Sequence, residues 1–399
     1  MRKLIFVTVC LWNTAGWAQE ATAPADPPAL KLSTVIVGNA ILNSGTPFPT
    51  EDAPAGAVMA SGDDLPTDTS LNLTARQTKF GLQTFTRLDP DTTLSGLLEM
   101  DFFGLHENAG PAGSIQSAPR LRLAYGKLAH GRWDLRIGQD WSVVTPRLPT
   151  SSAHMVVVLH SFGGAVWNRL PQVTGRWTGE GTFHAGVAVS AARPHSGDAT
   201  AVLTRFEGPD PGSLSSLPAA QARVFFVAPH VEVGVAGHFA TERYATTDAD
   251  KSIPSWLGSA DLNVDLKPVN FAGQGYCGQN INGFFSRAGV KATLDAMDAV
   301  TDVEGLRACG GWLEAKLALG PITAVVSGSV EYGEEELFRD NAAFKQWDAF
   351  GGIAYRPWKP FEVSLEYLHT TTSYKNAADG NNESIALTGR FFFDAALSK

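Results

Sequence analysis

The sequence predicts an all-β chain, a transmembrane antiparallel β-barrel of about sixteen strands with short periplasmic turns and long extracellular loops. Three observations carry this. An export signal opens the chain, period-two alternation runs through most of the remaining residues, and the breaks between alternating stretches are short and long by turns.

Arg2 and Lys3 precede an apolar stretch over 4–12, and small residues close it near Gly16 and Ala18. This is the layout of a secretory signal peptide over 1–18, because a membrane-spanning helix needs about 20 apolar residues. No later stretch approaches that length, so a mature chain that crosses a membrane must do so with strands closed on themselves. Residues 19–28, with Pro24, Pro27 and Pro28 among alanines, cannot form a ladder and read as a flexible leader. The barrel is expected over 29–393, followed by a tail over 394–399.

The 31 basic and 40 acidic residues give a net charge of −9, or −11 once Arg2 and Lys3 are removed with the signal. Nucleic acid is therefore not an expected partner. Forty glycines and a near-neutral mean hydropathy suit strands with one apolar and one polar face. Cys277 and Cys309 remain after cleavage, and an oxidising compartment makes a disulfide the expected reading. It would close 31 intervening residues across a loop expected to hold a short helix at about 290–307, and stabilise the fold by about 3 to 4 kcal/mol. Two cysteines without neighbouring histidines do not call for a metal, and no cofactor is expected.

Short breaks fall at Leu88 to Asp91, His130–Gly131, Gly179 to Gly181, Ala228 to His230, Lys267–Pro268, Gly320–Pro321 and Pro357 to Pro360. Long breaks fall near 43–69, 104–116, 142–164, 193–216, 243–255, 278–305, 333–342 and 374–382. Seven short and eight long breaks imply sixteen strands with both chain ends on the short-turn side. Trp133, Leu135, Ile137 and Trp141 alternate with Asp134, Arg136, Gly138 and Asp140, with one slip at the end. Phe361, Val363, Leu365 and Tyr367 do so with Glu362, Ser364 and Glu366, and Leu121, Leu123 and Tyr125 with Arg120, Arg122 and Ala124. Charges at every second position are costly in a dry core and natural beside a wet lumen. In 71–85 no single phase places both Arg76 and Lys79 inside, which predicts a bulge between them. Trp133, Trp141, Tyr355, Trp358, Tyr367 and the run Phe391 to Phe393 fall near strand ends, where rings suit either the lipid headgroup zone or packing between subunits.

Five stretches, TARQTKFG from Thr74, LEMDFFG from Leu98, RLRLAYG from Arg120, IGQDWS from Ile137 and NRLPQV from Asn168, together with GQGYCGQNING from Gly273, resemble the DcaP-like outer-membrane porins in order and spacing. The resemblance covers nearly all of the mature chain. It implies a sixteen-stranded homotrimeric barrel in the outer membrane, with the third outer loop, about 143–164, folded inward, passing small polar and often anionic solutes. Two departures stand out: the leader carries no coiled-coil segment, and Phe391 to Phe393 are followed by six non-aromatic residues.

A channel selects at its narrowest section, so fixed charges on the inner wall are the candidate site. Arg120 and Arg122 share a strand face, Arg136 faces inward on the next strand, and Arg147 lies on the third loop. With Lys79 or Arg76 they would form a basic ladder for carboxylates and phosphates; Asp140 would line the pore beside them. The competing expectation is that Asp101, Asp134 and Asp140 pair with these arginines and brace the wall. A plugged structural or adhesive barrel is the alternative to an open channel. An enzyme is not indicated, since GxSxG and HExxH are absent from the sequence.

Overall fold

A computed structural model describes residues 29–45, 47–48, 57–58, 69–104, 118–196, 210–296 and 300–397. The export signal and the leader lie outside the described residues. The wall consists of β1 (Ala29–Asn43), β2 in two pieces (Ser70–Thr74 and Lys79–Asp89), β3 (Thr92–Gly104), β4 (Ala118–His130), β5 (Trp133–Trp141), β6 (Arg169–Thr178), β7 (His184–Ala192) and β8 (Ala219–Ala228). It continues through β9 (Val231–Tyr244), β10 (Lys251–Leu266), β11 (Val269–Gln279), β12 (Arg307–Leu319), β13 (Ile322–Gly333), β14 (Ala343–Trp358), β15 (Phe361–Tyr374) and β16 (Gly380–Leu397).

Every pairing in the wall is antiparallel, all but the closing one joins sequence neighbours, and both pieces of β2 lie along β1. β16 returns to β1 in register from Leu30 opposite Leu397 to Asn43 opposite Ser384. Sixteen strands thus close a transmembrane barrel that has no unpaired edge to expose to lipid. The fifteen connections fall close to the expected breaks, but two of those expected to be long are brief, at 245–250 and 375–379.

The two-faced strands arise from the alternation itself. Ile137, Leu365 and Leu387 are exposed on the outer face, while Glu362, Glu366 and Thr388 are buried inside. The break in β2 is the predicted bulge. Three residues of β1 (36–38) face four of β2 (75–78), and the Val37 amide donates to Thr78 Oγ1 at 3.1 Å in place of a ladder bond. Arg76 and Lys79 are consequently both buried.

Four expectations need correcting. In β4, Arg122 is the extra residue of a bulge, because Leu121 and Leu123 face the adjacent residues Met100 and Glu99. Leu123 and Tyr125 therefore turn inward with Arg122, and the outer positions pass to Ala124, Gly126 and Leu128. Among its described residues the stretch at 290–307 forms a β-hairpin in place of the expected helix, Val290–Leu294 against Val300–Gly305, rich in the β-branched residues that favour strands. The phenylalanine run divides, Phe391 and Phe393 standing outside and Phe392 inside under the Arg356 guanidinium at 4.2 Å. Finally, β16 runs on to Leu397, into the stretch read as a tail, because its partner β1 begins at Ala29 and continues the ladder.

Cys277 and Cys309 form the expected disulfide, as directly opposed residues of β11 and β12. Gly138, inside β5, has φ +133°, and a Cβ there would stand 2.1 Å from the Ala124 carbonyl oxygen. Gly126, in the neighbouring strand, has open space around it. Gly138→Ala is expected to destabilise the barrel by more than about 1 kcal/mol, lowering the temperature at which the folded gel band is lost. Gly126→Ala should leave it unchanged.

Candidate functional site

Residues 142–168, between β5 and β6, form the third long connection, and most of them are buried against inward-facing side chains of the wall. Irregular backbone can lie at this depth only if its polar groups find partners. Thr150 donates through its amide and hydroxyl to Glu314 of β12. The amides of Ser152 and Ala153 and the Ser151 hydroxyl donate to Glu366 of β15. Gln77, in the β2 bulge, binds the Ala153 carbonyl and accepts from the Met155 amide. His160, fully buried with φ +66°, sits between Asp348 Oδ2 at 3.1 Å and Ser327 Oγ at 2.8 Å. That spacing matches a charge relay, yet the burial of His160 makes it a pin that holds the segment to β13 and β14.

Apolar contacts complete the seating. Met155 packs on Val35 and Val37, Val156 and Val157 on Phe103, and Leu159 on Val325, Phe350 and Leu368. The segment thus touches the wall on widely separated sides of the lumen.

The predicted residues divide into three groups. Asp101 is the hub of the first: Arg120 reaches its two oxygens at 3.1 and 2.8 Å, and Arg122 Nη1 reaches it at 2.9 Å. Arg122 also binds Glu99 at 2.6 Å. Lys79 is the cross-strand partner of Asp101, and the Arg76 guanidinium lies 4.1 Å from the Phe103 ring. Arg120 is a third exposed, whereas Arg122 is buried. The second group is Arg136 with Asp140 at 2.9 Å and Asp134 at 3.4 Å, beside the Tyr125 ring. Arg147 stands apart from both. It crosses to Asp261 of β10 and Glu232 of β9, each at 2.9 Å, where Arg223 of β8 binds the same two carboxylates.

Sequence reasoning missed Arg223, Glu232 and Asp261, as well as Glu314, Asp348 and Arg390. Each has the inward phase of its strand, so alternation could have found them. Apart from Arg223 and Glu232, which pair across neighbouring strands, their partners lie far off in the chain. Arg169, whose phase Pro171 obscures in the sequence, lies over the Trp141 and Trp167 rings, its guanidinium 5.2 and 5.4 Å from their centroids.

On the loop rim, Asp302 of the hairpin is held below the usual carboxylate range by the hydrogen bond that Lys251 donates to it at 2.6 Å. That contact is complete at neutral pH and fades as pH falls through the depressed pKa.

Removing the Glu366 carboxylate would strip two buried amides and a hydroxyl of their acceptor, at about 1 to 3 kcal/mol each. Glu366→Ala is therefore expected to make residues 150–155 open to protease in the folded barrel, read by mass spectrometry of the cleavage products.

No family profile matches the chain, and no curated protein does. Solved structures do. The outer membrane channel DcaP of Acinetobacter baumannii is 17% identical, with 92% of this chain and 97% of that one covered and a TM-score of 0.72. An anion-selective porin from Comamonas acidovorans, 10% identical, covers 92% and 100% with a TM-score of 0.57. Salmonella typhi OmpF, in a complex with daunomycin, is 11% identical and covers 91% and 97% with a TM-score of 0.57. At these identities the likeness speaks for the fold, and in fold this chain is a sixteen-stranded barrel like the DcaP outer-membrane channel.

Proposed function

We propose that the chain is an exported outer-membrane porin, a passive channel rather than an enzyme, that passes small polar and preferentially anionic solutes. The observation that carries this is the lumen itself. Paired and partly exposed arginines stand among the inward-phase residues of a closed barrel, and the burial of residues 142–168 supports a passage narrowed by them. A wall built for packing alone would hold apolar residues there. The fold likeness to DcaP, to an anion-selective porin and to OmpF supports the same reading.

Export through the signal at 1–18, the domain limits, contact with outer-membrane lipid and assembly as a homotrimer belong to this proposal. So do the pore-lining roles of Arg120, Arg122, Arg136, Asp140, Arg147, Lys79 and Arg76. Arg120 is the member best placed to meet a solute, because it keeps part of its surface exposed while Asp101 fixes its position.

A plugged barrel is the second reading, and the nearly complete burial of residues 142–168 favours it. Conductance separates the two. Purified protein in a planar bilayer under a KCl gradient should conduct, with a reversal potential of anionic sign. Arg120→Ala combined with Arg122→Ala should shift that potential towards zero. Conductance with cation preference in both proteins would remove the arginines from the selective section, and a silent bilayer would move the assignment to the plugged barrel.

A further inference from the structure

The long connection between β11 and β12, the sixth in chain order, also enters the lumen, and both stems of the third connection rest on it. Val143 and Val144 at one stem and Val166 at the other share a buried cluster with Ile281, Phe284 and Ala288. The Trp167 amide donates to the Phe284 carbonyl at 3.1 Å, and the Phe162 amide to the Phe285 carbonyl at 2.8 Å. The Phe285 ring lies flat on Trp167, with centroids 3.9 Å apart and planes 6° from parallel, and it meets Phe162 edge-on at 5.7 Å. Phe285 has φ +59°, a conformation a bulky residue keeps only where its surroundings impose it.

The sixth connection is itself firmly held. The Arg287 amide donates to Glu331 of β13 at 2.7 Å, and the Ser255 hydroxyl of β10 donates to the Asn280 carbonyl at 2.7 Å. Its hairpin packs Val290, Val300 and Val303 on Tyr244 and Ile253 at the rim. Cys277 and Cys309 bridge its base.

We infer that Phe285 is a positioning residue for permeation: by clamping Trp167 it fixes the exit stem of the third connection and hence the width of the passage. The disulfide holds that clamp in place. Trp167 also carries one face of Arg169, so releasing the ring leaves that guanidinium with Trp141 alone as well as widening the path. This inference rests on the channel reading above.

The test uses the full chain in planar bilayers. Phe285→Ala is expected to raise single-channel conductance by about twofold and to move the reversal potential, while Phe285→Tyr, which keeps the stack, should restore wild-type values. A folded Phe285→Ala barrel with wild-type conductance and reversal potential would overturn the inference. Should that variant fail to fold, the open wild-type channel can be treated with a phosphine reductant from the loop side. Noisier, larger currents are expected, and an unchanged current would overturn the inference. If wild type is silent, the channel reading has failed. The clamp is then judged by proteolysis within 142–168, where equal resistance in wild type and reduced protein would overturn it.

Discussion

A strand in hydrocarbon must have both edges paired, since each bare amide or carbonyl there costs several kcal/mol. The seam between β1 and β16 is where this chain meets that demand, in fourteen consecutive residue pairs that join its first described strand to its last. With the seam closed, the wall has an inside and an outside, and the side chain at every position is committed to one of them. The bulge in β2 lies along β1 beside this seam, and the substitute bond from Val37 to Thr78 keeps the ladder complete where the residue counts differ.

Closure also decides what the inward charges can do. An arginine in a narrow lumen is partly desolvated, and a bidentate carboxylate is its most favourable partner. Asp101 serves two arginines, and Asp261 and Glu232 together serve Arg147 and Arg223. Further wall carboxylates, Glu314 and Glu366, are taken by amides and hydroxyls of residues 150–153. Neutral donors do not cancel a carboxylate's charge, so the field inside depends on where each charge stands and not on the net charge of −9.

The wall was legible because its rules are local. Turn chemistry at Lys267–Pro268 or Gly320–Pro321 and alternation in Phe361 to Tyr367 depend on residues a few positions apart, and these located strands and faces. The errors arose where an insertion changes the count. The bulge at Arg122 lets two consecutive residues face inward, so Leu123 and Tyr125 were given to the wrong side. The same ambiguity at Arg76 and Lys79 could be detected, since no single phase accommodated both. The helix expected at 290–307 failed for a different reason: its hairpin is stabilised by Tyr244 and Ile253 on other strands, which no window over the loop contains.

The candidate site was only half legible because each contact in it is made at long range. Arg147 could be identified as a charge on the third connection, but its partners stand 85 and 114 residues further on, at Glu232 and Asp261. The dependence also runs in the other direction. Gln77, Glu314 and Glu366 read as ordinary inward polar residues of strands, yet each is an acceptor for the backbone of residues 150–155. Without those acceptors four buried amides would be left unpaired, at about 1 to 3 kcal/mol each. The wall supplies the hydrogen bonds of this buried segment, so its course is encoded in the strands as much as in the loop.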